Sequence, residues 1–198
     1  VMAIYEKDIK LLLAHSSVAQ IGYIALGFGL ASAASVTASF IHIGNHALIK
    51  GGLFMAVGSF VAVLGSRANL ASFVGIGRRM PITATAFTIC GLSLAGLPLT
   101  AGFISKLYLV RAILAADAYF IAGLVLLSSA LSLIYLWKIV EVMWMQPAPA
   151  KSPKLFENPA IYLPLWIVAL ANIWFGVDAS WLVAASRAAA AALLGGGL

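Results

Sequence analysis

From Val36 to Leu64 the chain runs without a proline and with almost no charge. Such a stretch predicts a single helix of about 43 Å at ~1.5 Å per residue, which crosses a hydrocarbon core of roughly 30 Å with tilt or overhang. Three ionisable residues interrupt the apolar run: His42, His46 and Lys50. At about 100° per residue, His46 falls about 40° round the helix from His42, and Lys50 about 80°. All three therefore share one face, roughly a turn apart. An ionisable group at the centre of a membrane helix costs about 2.5–3.5 kcal/mol on insertion scales. Three stacked on one face point to a route for a charge, most simply a proton.

The rest of the chain makes that membrane setting unavoidable. Hydrophobic residues form 63% of it and charged ones 9%, far below the roughly 25% charged usual for soluble domains. Apolar runs of spanning length without strand-like alternation predict an all-α, polytopic transmembrane bundle rather than a barrel. The excess of basic residues, 12 against 6 acidic, reads as loop charge near lipid headgroups, not as a nucleic-acid surface. The single Cys90 excludes an internal disulfide and a cysteine-based metal site. No P-loop or dinucleotide fingerprint is present, and the residues call for no cofactor. The opening VMAIYEKDIK reads as the end of a preceding helix, so the sequence is expected to be the C-terminal part of a longer subunit.

Breaks at charges, Gly and Pro divide the chain into about six membrane helices within a single domain spanning 1–198. The first runs from Leu11 to Leu30, and the second carries the His–His–Lys stripe. A loop from Gly65 to Met80 holds Arg67, Arg78 and Arg79, and Pro81 opens the third helix at the N1 position it favours. That helix ends near Gly96-Leu97-Pro98, and a fourth segment carries Lys106. Tyr119 to Met145 form the fifth, residues 146–158 a polar connector, and Ala160 to Val177 the sixth. The Ala/Gly-rich tail 181–198 is left as either a short interfacial helix or a disordered end.

His42 and His46 suit a proton relay, because imidazole loads and unloads a proton near neutral pH. Hydrogen bonding across helices is a second use for them. Metal binding is a third, although no carboxylate or cysteine in the same run completes a ligand set. Lys50 lies too deep in its run to snorkel to an interface. Lys106 follows Pro98 and Gly102, residues that interrupt membrane helices and free backbone carbonyls around a cavity. Lys138 and Glu141, three apart near a helix end, are expected to form an interfacial pair. His15 is placed near the interface. The tryptophans 137, 144, 166, 174 and 181 are read as interfacial anchors or apolar-face residues. Ser16, Ser17, Gln20, Ser128 and Ser129 either bond between helices or hold water along a path.

Three segments then resemble a known family. DIKLLLAHSSVAQIGYIALGFGL is similar to the DLK-x-x-LAYSS-x-x-QIGY segment of the antiporter-like subunits of NADH–quinone oxidoreductase, membrane hydrogenases and multisubunit cation/proton antiporters. HIGNHALIKGGLFMAVG resembles their His-x-x-x-His-Ala-x-x-Lys helix. GLSLAGLPLTAGFISKLYL resembles their Gly-x-Pro-x-x-x-Gly-Phe-x-x-Lys segment. Within the family, GIGRRMP, GFISKLYLV and LPLWIVALANIWFGVDAS are most similar to the D-type subunit of the Mrp sodium/proton antiporter.

The resemblance implies two inverted helical repeats, each forming a half-channel, with this chain as the second repeat and the helix after it. It assigns Lys50 to the central axis and Lys106 to a discontinuous helix, with His42 and His46 bridging towards them. It also implies a multi-pass place in the bacterial inner membrane, other membrane subunits as partners, and protons with sodium or potassium as cargo. The expected function is proton translocation in a cation/proton antiporter. A proton channel in a redox-driven oxidoreductase or hydrogenase is one alternative, and a non-transporting scaffold is another. Two departures stand out: the family's glutamate–lysine pair of the first half is absent, and His15 replaces the usual Tyr.

Overall fold

A computed structural model describes residues 2–65, 68–147 and 155–195. Among these residues every regular element is helical. After a short turn of helix, α1 (Met2–Tyr5), come α2 (Ile9–Gly29) and α3 (Ala33–Leu64). These are followed by α4 (Ile76–Arg79), α5 (Pro81–Ala95), α6 (Ala101–Leu114) and α7 (Tyr119–Trp144). The last are α8 (Pro159–Val177) and α9 (Ser180–Leu193). Helices α2, α3, α7 and α8 are each long and apolar enough to cross a membrane. The chain is thus a polytopic helical membrane bundle.

Local chemistry sets the ends. Asp8 caps α2, its Oδ1 accepting from the backbone N–H groups of Lys10 at 2.8 Å and Leu11 at 3.2 Å. Ser32 and Ser35 form a reciprocal capping box at the start of α3. Gly65 ends α3 in the left-handed conformation, at φ 59°. Pro81 stands at the start of α5 as its sequence position predicts. The first-turn amides of α5, on Ile82 and Thr83, donate to the Glu157 carboxylate at 3.1 and 2.6 Å. A carboxylate just before α8 thereby satisfies donors that a helix start leaves free, and it fixes α8 beside α5.

Helix α3 is the hub, with α2, α5, α6, α8 and α9 all packed along it. With 15 and 14 residues, α5 and α6 reach only about 22 and 21 Å. Neither crosses a core of roughly 30 Å alone; together they make one broken crossing. The break, residues 96–100, holds Gly96 at φ 87° and Leu99 at φ 65°. Gly102 is essential to it: a Cβ there would lie on the Ser93 carbonyl. Ser93 also ties three helices together, donating to Asn172 Oδ1 of α8 at 2.9 Å and accepting from the Gly102 amide at 3.1 Å.

Of the two forms the sequence left open for the tail, Ser180–Leu193 takes the short helix, packed on α3. The tail's last residues, 196–198, fall outside the described residues, as do Arg67 and the part of the polar connector from 148 to 154.

Candidate functional site: two buried lysines and a histidine pair

Lys50 and Lys106 are both buried, at 6% and 7% exposure. Lys50, on α3, donates to the Leu13 carbonyl of α2 at 2.6 Å and to the Ser16 hydroxyl. Lys106, on α6, reaches back across the break and donates to the carbonyls of Leu94 at 2.9 Å and Ala95 at 2.8 Å. Those carbonyls are free because α5 stops at Ala95, and the negative end of its dipole favours a cation there. The chain passes closely at this point, since a Cβ on Gly96 would stand 2.8 Å from Lys106 Cδ. The Lys106 amine also lies 6.0 Å from the centre of the Tyr23 ring. Among the described residues no carboxylate pairs with either amine; the ion pair found there joins His15 Nε2 to Glu6 Oε2 at 3.9 Å. The backbone amides of Asp8 and Lys7 hold that half-buried Glu6 carboxyl below its usual range.

Between the lysines lie the histidines. His42 Nδ1 is 3.0 Å from Ser105 Oγ, next to Lys106 in sequence. Its ring meets Tyr23 edge-on at 5.6 Å and stacks on His46 at 6.2 Å with a 6° interplanar angle. His42 is within electrostatic range of Lys106 and His46, and His46 of Lys50. The four therefore form a spatial series, Lys106, His42, His46, Lys50. His42 Nε2, His46 Nδ1, Asn45 Oδ1 and Gln20 Nε2 are buried without a hydrogen-bond partner among the described residues. Polar atoms in that condition are satisfied by water when the site admits it.

A second line of polar groups, on α2 and α7, was only partly visible in the sequence. Ser16, the Lys50 partner, lines a cavity of about 340 Å³ together with His15, Ser128, Ser132 and Tyr135. Lys106 lines another of about 190 Å³ with Gly96 and Ser129. The Tyr23 hydroxyl donates to the Val125 carbonyl at 3.5 Å, one turn before Ser128 and Ser129 on α7. Ser16, Ser128 and Ser129 are among the hydroxyls that the sequence offers either for bonds between helices or for water along a path. Tyr23, Ser105, Asn45 and Tyr135 were not singled out, because aromatic and small polar residues in apolar helices usually pack. The one usable signal was Tyr23's place within the QIGY motif. No His/Cys/Asp/Glu group among the described residues is arranged to hold a metal.

One expectation needs correction. Lys138 and Glu141 form no ion pair: the Lys138 amine donates to the Ile4 carbonyl at 3.4 Å, and Glu141 is exposed. Adjacency on a helix permits a pair, but the neighbouring carbonyl of α1 competes for the amine. Of the tryptophans, two bond to α5 and two lie near helix ends on an exposed apolar face. Trp144 and Trp166 donate to Thr88 Oγ1 and the Ile82 carbonyl of α5. Trp174 and Trp181 instead flank the α8–α9 junction, far from either end of that helix pair.

Residues 1–132 match the family model described as NADH:quinone oxidoreductase/Mrp antiporter, TM. Subunit N of NADH-quinone oxidoreductase from Desulforudis audaxviator is 40% identical over 149 residues, covering 75% of this chain and 30% of the relative. Subunit N of F(420)H(2) dehydrogenase from Methanosarcina mazei is 34% identical over 181 residues, 87% of this chain and 36% of the relative. Among solved structures, a chain of the archaeal membrane-bound sulfane sulfur reductase superposes with a TM-score of 0.89 at 31% identity, over 98% of this chain and 39% of that one. A chain of the Mrp complex from Dietzia sp. gives 0.86 at 25% identity, over 98% and 44%. The chain thus spans about a third of the length of these curated relatives, which are N-type subunits of redox complexes where the sequence motifs suggested the D-type subunit of Mrp. From its buried lysines and matching motifs to its broken crossing, the chain belongs to the antiporter-like membrane family of NADH:quinone oxidoreductase and Mrp antiporters.

Proposed function

We propose that this chain is the proton-conducting half of an antiporter-like subunit in a redox-driven membrane complex of the NADH-quinone oxidoreductase type. The observation that carries the reading is the hold on the two lysines. Each amine is buried on neutral carbonyl or hydroxyl acceptors with no carboxylate beside it. A buried lysine kept for structure is normally paired. One held only by neutral dipoles can exist with or without its proton, as a carrier must.

In this mechanism Lys106 exchanges protons at the break in α5–α6, where its amine rests on carbonyls that the broken helix leaves open. His42 and His46 relay them along α3, and Lys50 hands charge towards the part of the subunit outside this sequence. The hydroxyls of Ser16, Ser128, Ser129, Ser132 and Tyr23 give water a second polar track between the same two lysines. The similarity to N-type subunits favours redox coupling over sodium or potassium exchange. The likeness to the Mrp complex chain supports cation/proton antiport in the inner membrane as the second reading.

Purifying the intact complex and testing it for quinone-dependent proton release separates the two. Redox-coupled acidification lost on mutation of Lys106 supports the first reading. Sodium- or potassium-driven proton movement without redox activity supports the second. Unchanged flux in a Lys50→Ala/Lys106→Ala variant of an assembled complex would leave only a scaffold role.

A further inference from the structure

The α8–α9 junction holds a carboxylate at a depth where a bilayer tolerates none without a partner. Three contacts set that depth. Gly176 packs so closely on Leu99 and Thr100 that a Cβ there would overlap their backbone. Leu182 lies against Gly44, its Cδ1 3.3 Å from where a Cβ on that glycine would stand. Asn45, next to Gly44, donates to the Ala101 carbonyl at 2.7 Å. Asp178 therefore stands level with the break in α5–α6 and with Asn45 of α3. From there α8 extends about 28 Å to one end of the bundle and α9 about 21 Å to the other. The position is near the middle of a core of roughly 30 Å.

Asp178 faces outwards. Its Oδ1 accepts from the Ser180 amide at 2.9 Å, a local turn bond just before α9. No cationic side chain among the described residues pairs with it. Around it lies an apolar surface, with Trp174, Val177 and Trp181 exposed at 62, 67 and 68%. Lipid tails would solvate those side chains and leave the carboxylate unmatched.

We infer that the α8–α9 junction is a subunit interface, at which a transmembrane helix of a neighbouring subunit presents a basic side chain at mid-depth to the Asp178 carboxylate. The inference rests on the reading of this chain as one subunit of a complex. The aromatic collar of Trp174 and Trp181 gives the neighbouring helix an apolar seat, and the carboxylate selects a lysine, arginine or histidine on it. Charge matched in low dielectric sets the register between two helices that apolar packing alone leaves free to slide.

The test uses the full-length subunit in its native membrane, with a photoreactive benzoylphenylalanine at Trp181. The expected result is a cross-link to a transmembrane segment of another subunit that carries a basic residue at matching depth. Asp178→Asn keeps an oxygen to accept from the Ser180 amide and removes the charge. It should lower both the cross-link and the recovery of intact complex at least threefold, and Asp178→Glu should restore most of both. Cross-links only to lipid or to the same polypeptide overturn the inference, as does an Asp178→Asn variant with undiminished cross-linking and recovery. If the wild-type subunit co-purifies with no other subunit at all, the assembly reading itself is overturned.

Discussion

Lys50 and Lys106 have similar burial and the same lack of an acidic partner, yet the fold holds them by different means. Lys50 projects from an unbroken helix of 32 residues and borrows acceptors from a neighbour. The Leu13 carbonyl that it uses also accepts from the hydroxyls of Ser16 and Ser17, at 2.8 and 3.1 Å. Lys106 needs no side-chain acceptor, because α5 ends beside it and exposes two carbonyls. One site depends on a side-chain hydroxyl and the other on a backbone break. The first should thus be sensitive to single polar substitutions on α2, and the second to the residues that make the break possible.

The largest effect is expected at Gly102. An added methyl has to displace the Ser93 carbonyl rather than a flexible side chain, so Gly102→Ala should destabilise the assembled subunit by about 3 kcal/mol. It should also disturb Lys106 while leaving the Lys50 site in place. Gly51, with open space around its Cβ position, is the control, and the thermal midpoint of the purified complex compares the two. Equal midpoints would remove the argument that close packing holds the break. Next in size, Ser16→Ala takes one of two partners from Lys50, a loss of about 1.5 kcal/mol. It should slow proton transfer with the Lys106 side intact, and Ser16→Thr should recover most of the rate.

A smaller change is expected from Ser105→Ala. His42 Nδ1 loses its partner at a cost of about 1 kcal/mol, and the relay between the two lysine sites should weaken without loss of assembly. Flux assays beside native gels check this; lost assembly would make the histidine pair structural. The smallest effect belongs to Glu157→Gln. It leaves an acceptor for the α5 amides but removes the charge that favours them, for about 0.5 kcal/mol. A shift in melting without any change in transport is the expected outcome.

Much of this was legible in the sequence, and the reasons differ from place to place. The stripe of His42, His46 and Lys50 follows from helical geometry alone, and the helix forms as its uninterrupted run predicts. Pro81, Gly96 and Pro98 mark helix boundaries because their backbone preferences are local. Partners are not local. Nothing in the spacing of Lys138 and Glu141 reveals that the Ile4 carbonyl lies nearer. Nothing in the His42 helix says that Ser105 would stand opposite it. The depth of Trp174 and Trp181 was equally hidden, since it depends on Gly176 seating α8 against the break. Sequence patterns give faces and ends here; packing decides what each face meets.

The central claim is that Lys50 and Lys106 carry protons, and the type of charge at these two positions tests it most directly. Arginine is of similar length, keeps a positive charge and cannot be deprotonated in a protein. The measurement is substrate-driven pH change in inverted membrane vesicles, normalised to assembled complex, for Lys→Arg and Lys→Ala at each position. The account predicts that Lys106→Arg and Lys50→Arg each lower proton movement at least tenfold, almost as much as alanine does. Near-wild-type movement in both arginine variants, with alanine still harmful, would show that the two residues serve as fixed charges and contradict the account.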